Sequence, residues 1–468
     1  MSIIISGAIV VITIILKFAF PEIFSFLFGK GLDKIFSKIP NPMILLKKER
    51  RSRFRKVIGS PEYKNFALEV MKHYYLFEKY GDVFFTVING KLFPVMCFKG
   101  VPYCAKSSIQ DFDFLSNKTQ SVFNFDLTEH QGYRNYIYYK EYSELLEGLI
   151  KYPDRPGYML DELELNKNGE VASVKVHVGT FAENVYSTHI LEYELYCIYK
   201  KYRNRDLNNP DVWNKIMSLL KRRNQIHSLN QNESEAYYGN WRRLYESIRK
   251  MQNTHSLLSV QMLVVVKSSR THKYELKIVQ RSNKTVNMHG IYQFIPAGGF
   301  EVLNDSDDGV YSENELRNEY SAGCAVFREY LEELLNRPEF EGNGTGNLEE
   351  RLLKDPGILE IEKLITEGKA IFRFLGSVVA LDGLRHELSF LLLIKDEEYD
   401  AGNKFITNWE GKKGRIEENV SVQNFEANKE IWSNIHSPSA AMWHLFKQTD
   451  LYQQVLEEDL RNELSSTL

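Results

Sequence analysis

The chain has 468 residues, 43% of them hydrophobic and 26% charged, with a formal net charge of -3. That length predicts two or three domains, and the apolar share is enough for sizeable cores. The near-neutral charge excludes a global attraction to nucleic acid. No two of Cys97, Cys104, Cys197 and Cys324 have metal-type spacing, so they read as reduced thiols of a cytosolic compartment or as small buried apolar groups.

Met1 to Leu16 carries no charged side chain and is dominated by isoleucine and valine, with Lys17 and Phe18-Ala19-Phe20 before Pro21. A spanning helix needs about 20 mostly apolar residues, and a lysine near its end can snorkel to the headgroups. The segment therefore predicts a transmembrane helix, with a buried core helix as the alternative. Basic residues follow it, from Lys30, Lys34 and Lys38 to Arg53, Arg55 and Lys56, which predicts a cytoplasmic location for what comes after. Between Ile23 and Ile39 one helical face carries Phe24, Phe28, Leu32, Ile35, Phe36 and Ile39, and the other carries Lys30, Asp33, Lys34 and Lys38. Such a helix lies in a membrane interface or packs as a linker on the following domain.

Residues 57–255 predict a mixed α/β region without recognisable chemistry. Ser60 to Tyr80 is helical in pattern, and Val83 to Ile88 and Leu92 to Phe98 flank the hairpin signal Asn89-Gly90. Tyr133 to Tyr152 predicts a helix, Val171 to Val178 a strand, Ser187 to Tyr202 a helix, and Pro210 to Met251 a long amphipathic helical stretch. Gly179 to Asn184, leading into the helix that carries Glu192 and Glu194, reads as a structural turn or as the wall of a ligand cavity.

From residue 256 the pattern sharpens. Gln261 to Lys267, Tyr274 to Arg281 and Ile291 to Ile295 predict strands, the last running into Pro296-Ala297-Gly298-Gly299. A helix is predicted from about Asn314 to Asn336. It carries Arg328 and, at i, i+3 and i+4, Glu329, Glu332 and Glu333, which puts three carboxylates on one face. Two readings follow. One is a solvated acidic face. The other is a site for a hard divalent cation such as magnesium, which takes oxygen ligands and polarises phosphoryl oxygens.

A strand, a Pro-x-Gly-Gly loop and a helix bearing Arg-Glu-aromatic-x-Glu-Glu resemble the Nudix box. Gln280-Arg281, the later strands Phe372 to Leu381 and Glu387 to Lys395, and a closing helix starting at Ser437-Pro438 are similar to that family as well. The resemblance implies that Glu329, Glu332 and Glu333 bind metal, magnesium being the one cofactor implied. It implies catalytic roles for Glu332 and Glu333. Arg328 would orient the glutamates, and Arg328, Gly298 and Gly299 would contact ligand. Three departures weaken the hydrolytic part of the match. About 15 extra residues, including Asn304 to Gly309, lie between Gly299 and Arg328. Tyr320 stands where the pattern has its first glutamate, with Glu319 one place off. Leu335 stands where it has a glycine.

The expected fold class is α+β: an N-terminal transmembrane helix with an interfacial basic segment (1–56), a mixed α/β middle region (57–255), a C-terminal Nudix-like α/β/α sandwich (256–450) and a tail (451–468). This combination resembles the membrane-anchored Nudix effectors of bacterial cyclic-oligonucleotide anti-phage signalling. That resemblance implies a single-pass inner-membrane protein with a cytoplasmic bulk. Its partners would be a cyclic nucleotide messenger, the lipid bilayer and, functionally, a cognate nucleotidyltransferase, with homo-oligomerisation on activation. The alternatives are a magnesium-dependent hydrolase of a nucleoside diphosphate derivative held at the membrane, and a non-catalytic scaffold that docks a protein.

Overall fold

The structure is a computed structural model that describes residues 42–111, 141–142, 145, 156–228, 241–251, 254–282, 290–302, 320–338, 348–402, 405–407, 416–417 and 420–467. Among these residues no helix is long and apolar enough to cross a membrane. The two longest helices, α1 (Pro42–Ile58) and the C-terminal Asp450–Thr467, are rich in charge. The expected span over the first 20 or so residues, and the interfacial helix after it, lie outside the described residues. No described helix supports the expected transmembrane helix, or the single-pass inner-membrane localisation that rested on it, and neither is kept. What remains is a mixed α+β protein.

Its centre is a six-stranded mixed sheet. The strands are β3 (Val95–Lys99), β6 (Ser259–Lys267), β7 (Tyr274–Leu276), β10 (Ala297–Gly299), β11 (Ala370–Ala380) and β12 (Arg385–Ile394), in the order β10-β6-β12-β11-β3 with β7 paired to β6. Only the β6–β12 pair of this sheet is parallel; the others are antiparallel, and β8 (Ile278–Gln280) pairs separately with β9 (Tyr292–Phe294), also antiparallel. Side chains alternate across a strand, and both faces of this sheet are covered. Val260, Met262, Val264, Leu388, Phe390 and Leu392 join the core that includes helix α4 (Ala322–Glu333). Leu263, Val265, Leu391 and Leu393 join the opposite core, under helix α6 (Ser437–Lys447). Strands buried on both sides read as continuous apolar runs, which is why Met262 to Val266 is legible as a strand.

Local chemistry sets most boundaries. Asn89 and Gly90 both take positive φ (49° and 70°) and close the hairpin of β1 (Thr86–Ile88) and β2 (Lys91–Phe93), as a primed turn requires. Helix α2 (Pro61–Tyr74) is capped by Ser60, whose hydroxyl accepts from the Tyr63 amide at 3.2 Å, with Pro61 in the first turn. Helix α5 (Pro356–Thr366) has the same design with Asp355. The expected strand over Val83 to Ile88 starts only at Thr86, because Phe77–Phe84 is helical. The expected stretch from Pro210 to Met251 is broken into Pro210–Leu219, Lys221–Ile226 and Trp241–Arg249. Helix α6 starts at Ser437 as expected, with His436 at the cap position and no side-chain capping bond. Most of Tyr133 to Tyr152 lies outside the described residues.

The middle region and the C-terminal region share this architecture. The hairpin β4 (Pro156–Leu165) and β5 (Val171–Thr180) bridges to Leu257 and Glu301 through Met159 and Gly157. Helix α3 (Ile190–Tyr202) follows β5 after a π-helical turn, Val185–His189. The expected tail from residue 451 belongs to helix α7 (Asp450–Thr467), whose Asp459 accepts from the Tyr274 amide at 3.0 Å.

Candidate functional site

Ser321 starts α4, its hydroxyl accepting from the Cys324 amide at 3.2 Å. The helix is buried almost all round: among the acidic residues Glu329 is 8% exposed, Glu333 2%, and only Glu332 is half-buried. A solvated acidic face is therefore not what the sequence encodes. Buried carboxylates require partners, and two of those partners are explicit.

Arg328 pairs with the Glu329 carboxylate and donates a second bond, at 3.1 Å, to the Gly299 carbonyl. Glu333 accepts from the Ala297 amide at 2.8 Å. Helix α4 is thus fastened to both ends of β10. Gly298 lies between these bonds, and a β-carbon there would fall 2.2 Å from the Glu329 carboxylate. Burial acts to lower the Arg328 pKa. Glu329 most of all, then Glu332 and Glu301, hold it above its ordinary value instead. The guanidinium is the fixed cation at the centre of these carboxylates.

The residues expected to act together, Gly298, Gly299, Arg328, Glu329, Glu332 and Glu333, do meet at one end of the sheet. As placed, however, this donor set does not fit an octahedral magnesium ion with oxygen ligands. One carboxylate is turned to a guanidinium and another to a peptide N–H. Among the described residues no group of three or more His, Cys, Asp or Glu side chains is positioned to hold a metal. Tyr320, in place of the first box glutamate, is packed in an aromatic cluster, stacked on Phe300 at 5.0 Å and tilted against Tyr158 at 4.9 Å. Its side chain contributes to the core. The insert Asn304 to Gly309 and Glu319 lie outside the described residues.

A second group of polar residues adjoins this end. Gly299, Ser259 and Glu387 form one row across β10, β6 and β12. Burial pushes the Glu387 carboxyl up to about 7, although Arg385 and then Arg281 act to lower it. Arg385 is paired with Glu192 of α3 at 2.8 Å, and Arg281 donates to Gln293 at 2.7 Å. His436 has neither ring nitrogen hydrogen-bonded among the described residues. Its pKa is held well below the usual value by burial first, then by Arg385, Arg281 and Lys64. Two guanidiniums, a neutral imidazole and a carboxyl that titrates near neutrality therefore share one neighbourhood. Such a set can neutralise a bound anion and exchange a proton near pH 7.

No known protein family matches this chain, and no curated protein matches it either. Any assignment must therefore come from the geometry and from the motif.

The sequence reading singled out Arg281 but missed Arg385, Glu387 and His436. A signal was present. Arg385 and Glu387 occupy alternate positions at the start of an otherwise apolar strand, so both project from one face of the sheet. Their meeting with Arg281 and His436 depends on tertiary structure alone.

Proposed function

We propose that this protein is a nucleotide receptor built on a Nudix-like sandwich, one that recognises a phosphate-bearing ligand without hydrolysing it. The observation that carries this reading is the double fastening of α4 to β10: Arg328 to Glu329 and the Gly299 carbonyl, and Glu333 to the Ala297 amide. In the resembled family the equivalent carboxylates are metal ligands, and the arginine orients them. Here the arginine pair is kept, a second carboxylate, Glu333, is also held by the Ala297 amide, and the buried guanidinium supplies positive charge beside them. On the α6 face at the same end of the sheet, Arg281 and Glu387 add further polar groups, beside Arg385, whose charge is matched by Glu192.

A cyclic nucleotide messenger, made by a cognate nucleotidyltransferase, is the ligand class of this proposal, and arrest of the infected cell is its output. The test is a titration of the full chain with cyclic di- and trinucleotides, and with ADP-ribose, with and without magnesium. Binding and product release are followed together. The expected result is binding of a cyclic nucleotide with equal affinity in EDTA and with no product. Magnesium-dependent turnover of ADP-ribose, abolished by Glu332→Gln or Glu333→Gln, would overturn the receptor reading in favour of a pyrophosphohydrolase.

A further inference from the structure

A cavity of about 340 Å³ opens between α1 and α3, and its lining includes no residue of the Gly298–Gly299 strand or of α4. Its walls follow from helical spacing. Arg50, Arg53 and Phe54 lie at i, i+3 and i+4 on one face of α1, and Tyr193, Tyr196 and Lys200 lie at i, i+3 and i+7 on one face of α3.

The floor is aromatic. Phe54 meets Tyr196 edge-on at 4.9 Å and Tyr193 at 5.8 Å, and Tyr142 stacks on Tyr193 at 5.4 Å. The rim is cationic. Arg50 has no hydrogen bond or ion pair among the described residues. Lys200 lies 4.6 Å over the Tyr196 ring. Among the described residues Arg53 pairs only with Glu49, at 2.8 Å with both side chains largely in solvent, and such a pair contributes little and exchanges readily. One acceptor stands beside the rings: Glu141, which takes the Tyr193 hydroxyl at 2.8 Å.

Three cations around aromatic rings, with Glu141 beside the rings and Glu49 on the solvent side of Arg53, suit a flat aromatic ring that carries an anionic group. The rings stack on a base or grip its edge. The guanidiniums bind phosphate oxygens in pairs. The Glu141 carboxylate accepts from an exocyclic amine or a ribose hydroxyl. The volume lies at the small end of the roughly 300–1,000 Å³ range of small-molecule sites, which admits one nucleotide and not a polymer.

We infer that this cavity is a binding site for a nucleoside phosphate, separate from the Gly298–Arg328 region and independent of how that region is read. The probes are AMP, adenosine and inorganic phosphate, titrated into the full chain at two salt concentrations. 8-Azido-AMP is then photo-crosslinked and the labelled peptide mapped. AMP is expected to bind at least tenfold tighter than either adenosine or phosphate, more weakly at high salt, with the label on the peptide containing Tyr193 and Tyr196. Arg50→Glu with Arg53→Glu changes only exposed side chains; it should keep the melting temperature and lose AMP binding at least tenfold. Tyr196→Leu should abolish the preference for AMP over phosphate. The inference is overturned if no AMP binding is measured, if phosphate competes as well as AMP, if the label maps only between Ala297 and Glu333, or if the folded double variant binds normally. A variant of Arg328 that leaves the Tyr193–Tyr196 label in place separates this site from the receptor site proposed above.

Discussion

Gly298 stands so close to Glu329 that a β-carbon on it would lie 2.2 Å from the carboxylate carbon, whereas at Gly299 the nearest atom would be a Leu257 methyl at 3.2 Å. The two glycines are neighbours with different duties. Gly298 makes room for an ion pair, and Gly299 offers its carbonyl to Arg328. Gly298→Ala is expected to push Glu329 off Arg328 and to destabilise the fold by about 1–3 kcal/mol, as overpacking does. Gly299→Ala should cost less. Thermal unfolding of the two variants decides the matter, and equal losses would contradict this account of the strand.

Arg328 and Glu329 form a buried pair, so removing one partner leaves a charge without compensation. Arg328→Met alone should cost about 3–5 kcal/mol, and Arg328→Met with Glu329→Met should cost less than the single change. A double-mutant cycle in urea reads the coupling directly. Additive losses would show that the two side chains do not act as a unit.

Glu387 gives a pH dependence with a definite sign. Its carboxyl titrates at about 7 in the folded chain against an ordinary 4.5. Between those values the folded state keeps a proton that the unfolded state has released, so stability falls as pH rises through the window. Below pH 4.5 the penalty is absent, and above 7 it is complete. Glu387→Gln should remove it. The variant should gain on the wild type by on the order of 1–3 kcal/mol between pH 4.5 and 8. Melting curves that stay parallel across that range would refute the assignment.

Gly376 sits at the irregularity of β11 where the register against β12 shifts, with φ at +141°. A β-carbon there would fall 2.1 Å from the Phe98 carbonyl of β3. Gly376→Ala is therefore expected to loosen β3 from β11. Hydrogen exchange should rise at the Gly100 amide, which donates to the Leu375 carbonyl at 2.9 Å, while the β6–β12 amides stay protected. Unchanged protection at Gly100 would count against this role.

How much of this was legible in the sequence depended on distance along the chain. The Met262–Val266 run, the Asn89–Gly90 turn and the helix starting at Ser60 are local signals, and local physics sets them. The i, i+3, i+4 spacing puts Glu329, Glu332 and Glu333 on one helical face. It said nothing of what would face them, because Arg328's second partner, Gly299, arrives from another element. Val83 and Phe84 have strand-forming side chains yet end a helix, and Phe84 is fully buried there. Tertiary packing overrode propensity. The grouping of Arg281, Arg385 and His436 spans three separate elements, and no periodicity announces it.

The place of β3 bears on how the molecule is made. Its partner, β11, leaves the ribosome roughly 280 residues later. At about 5–20 residues per second, translation holds the two strands apart for something like a quarter of a minute to a minute. During that interval Val95, Met96 and Phe98, all buried in the finished sheet, have no β11 to pair with. A nascent chain of this protein therefore carries an apolar, unpaired strand through most of its synthesis. Its yield in a cell should depend on holdase chaperones more than the stability of the finished fold would suggest.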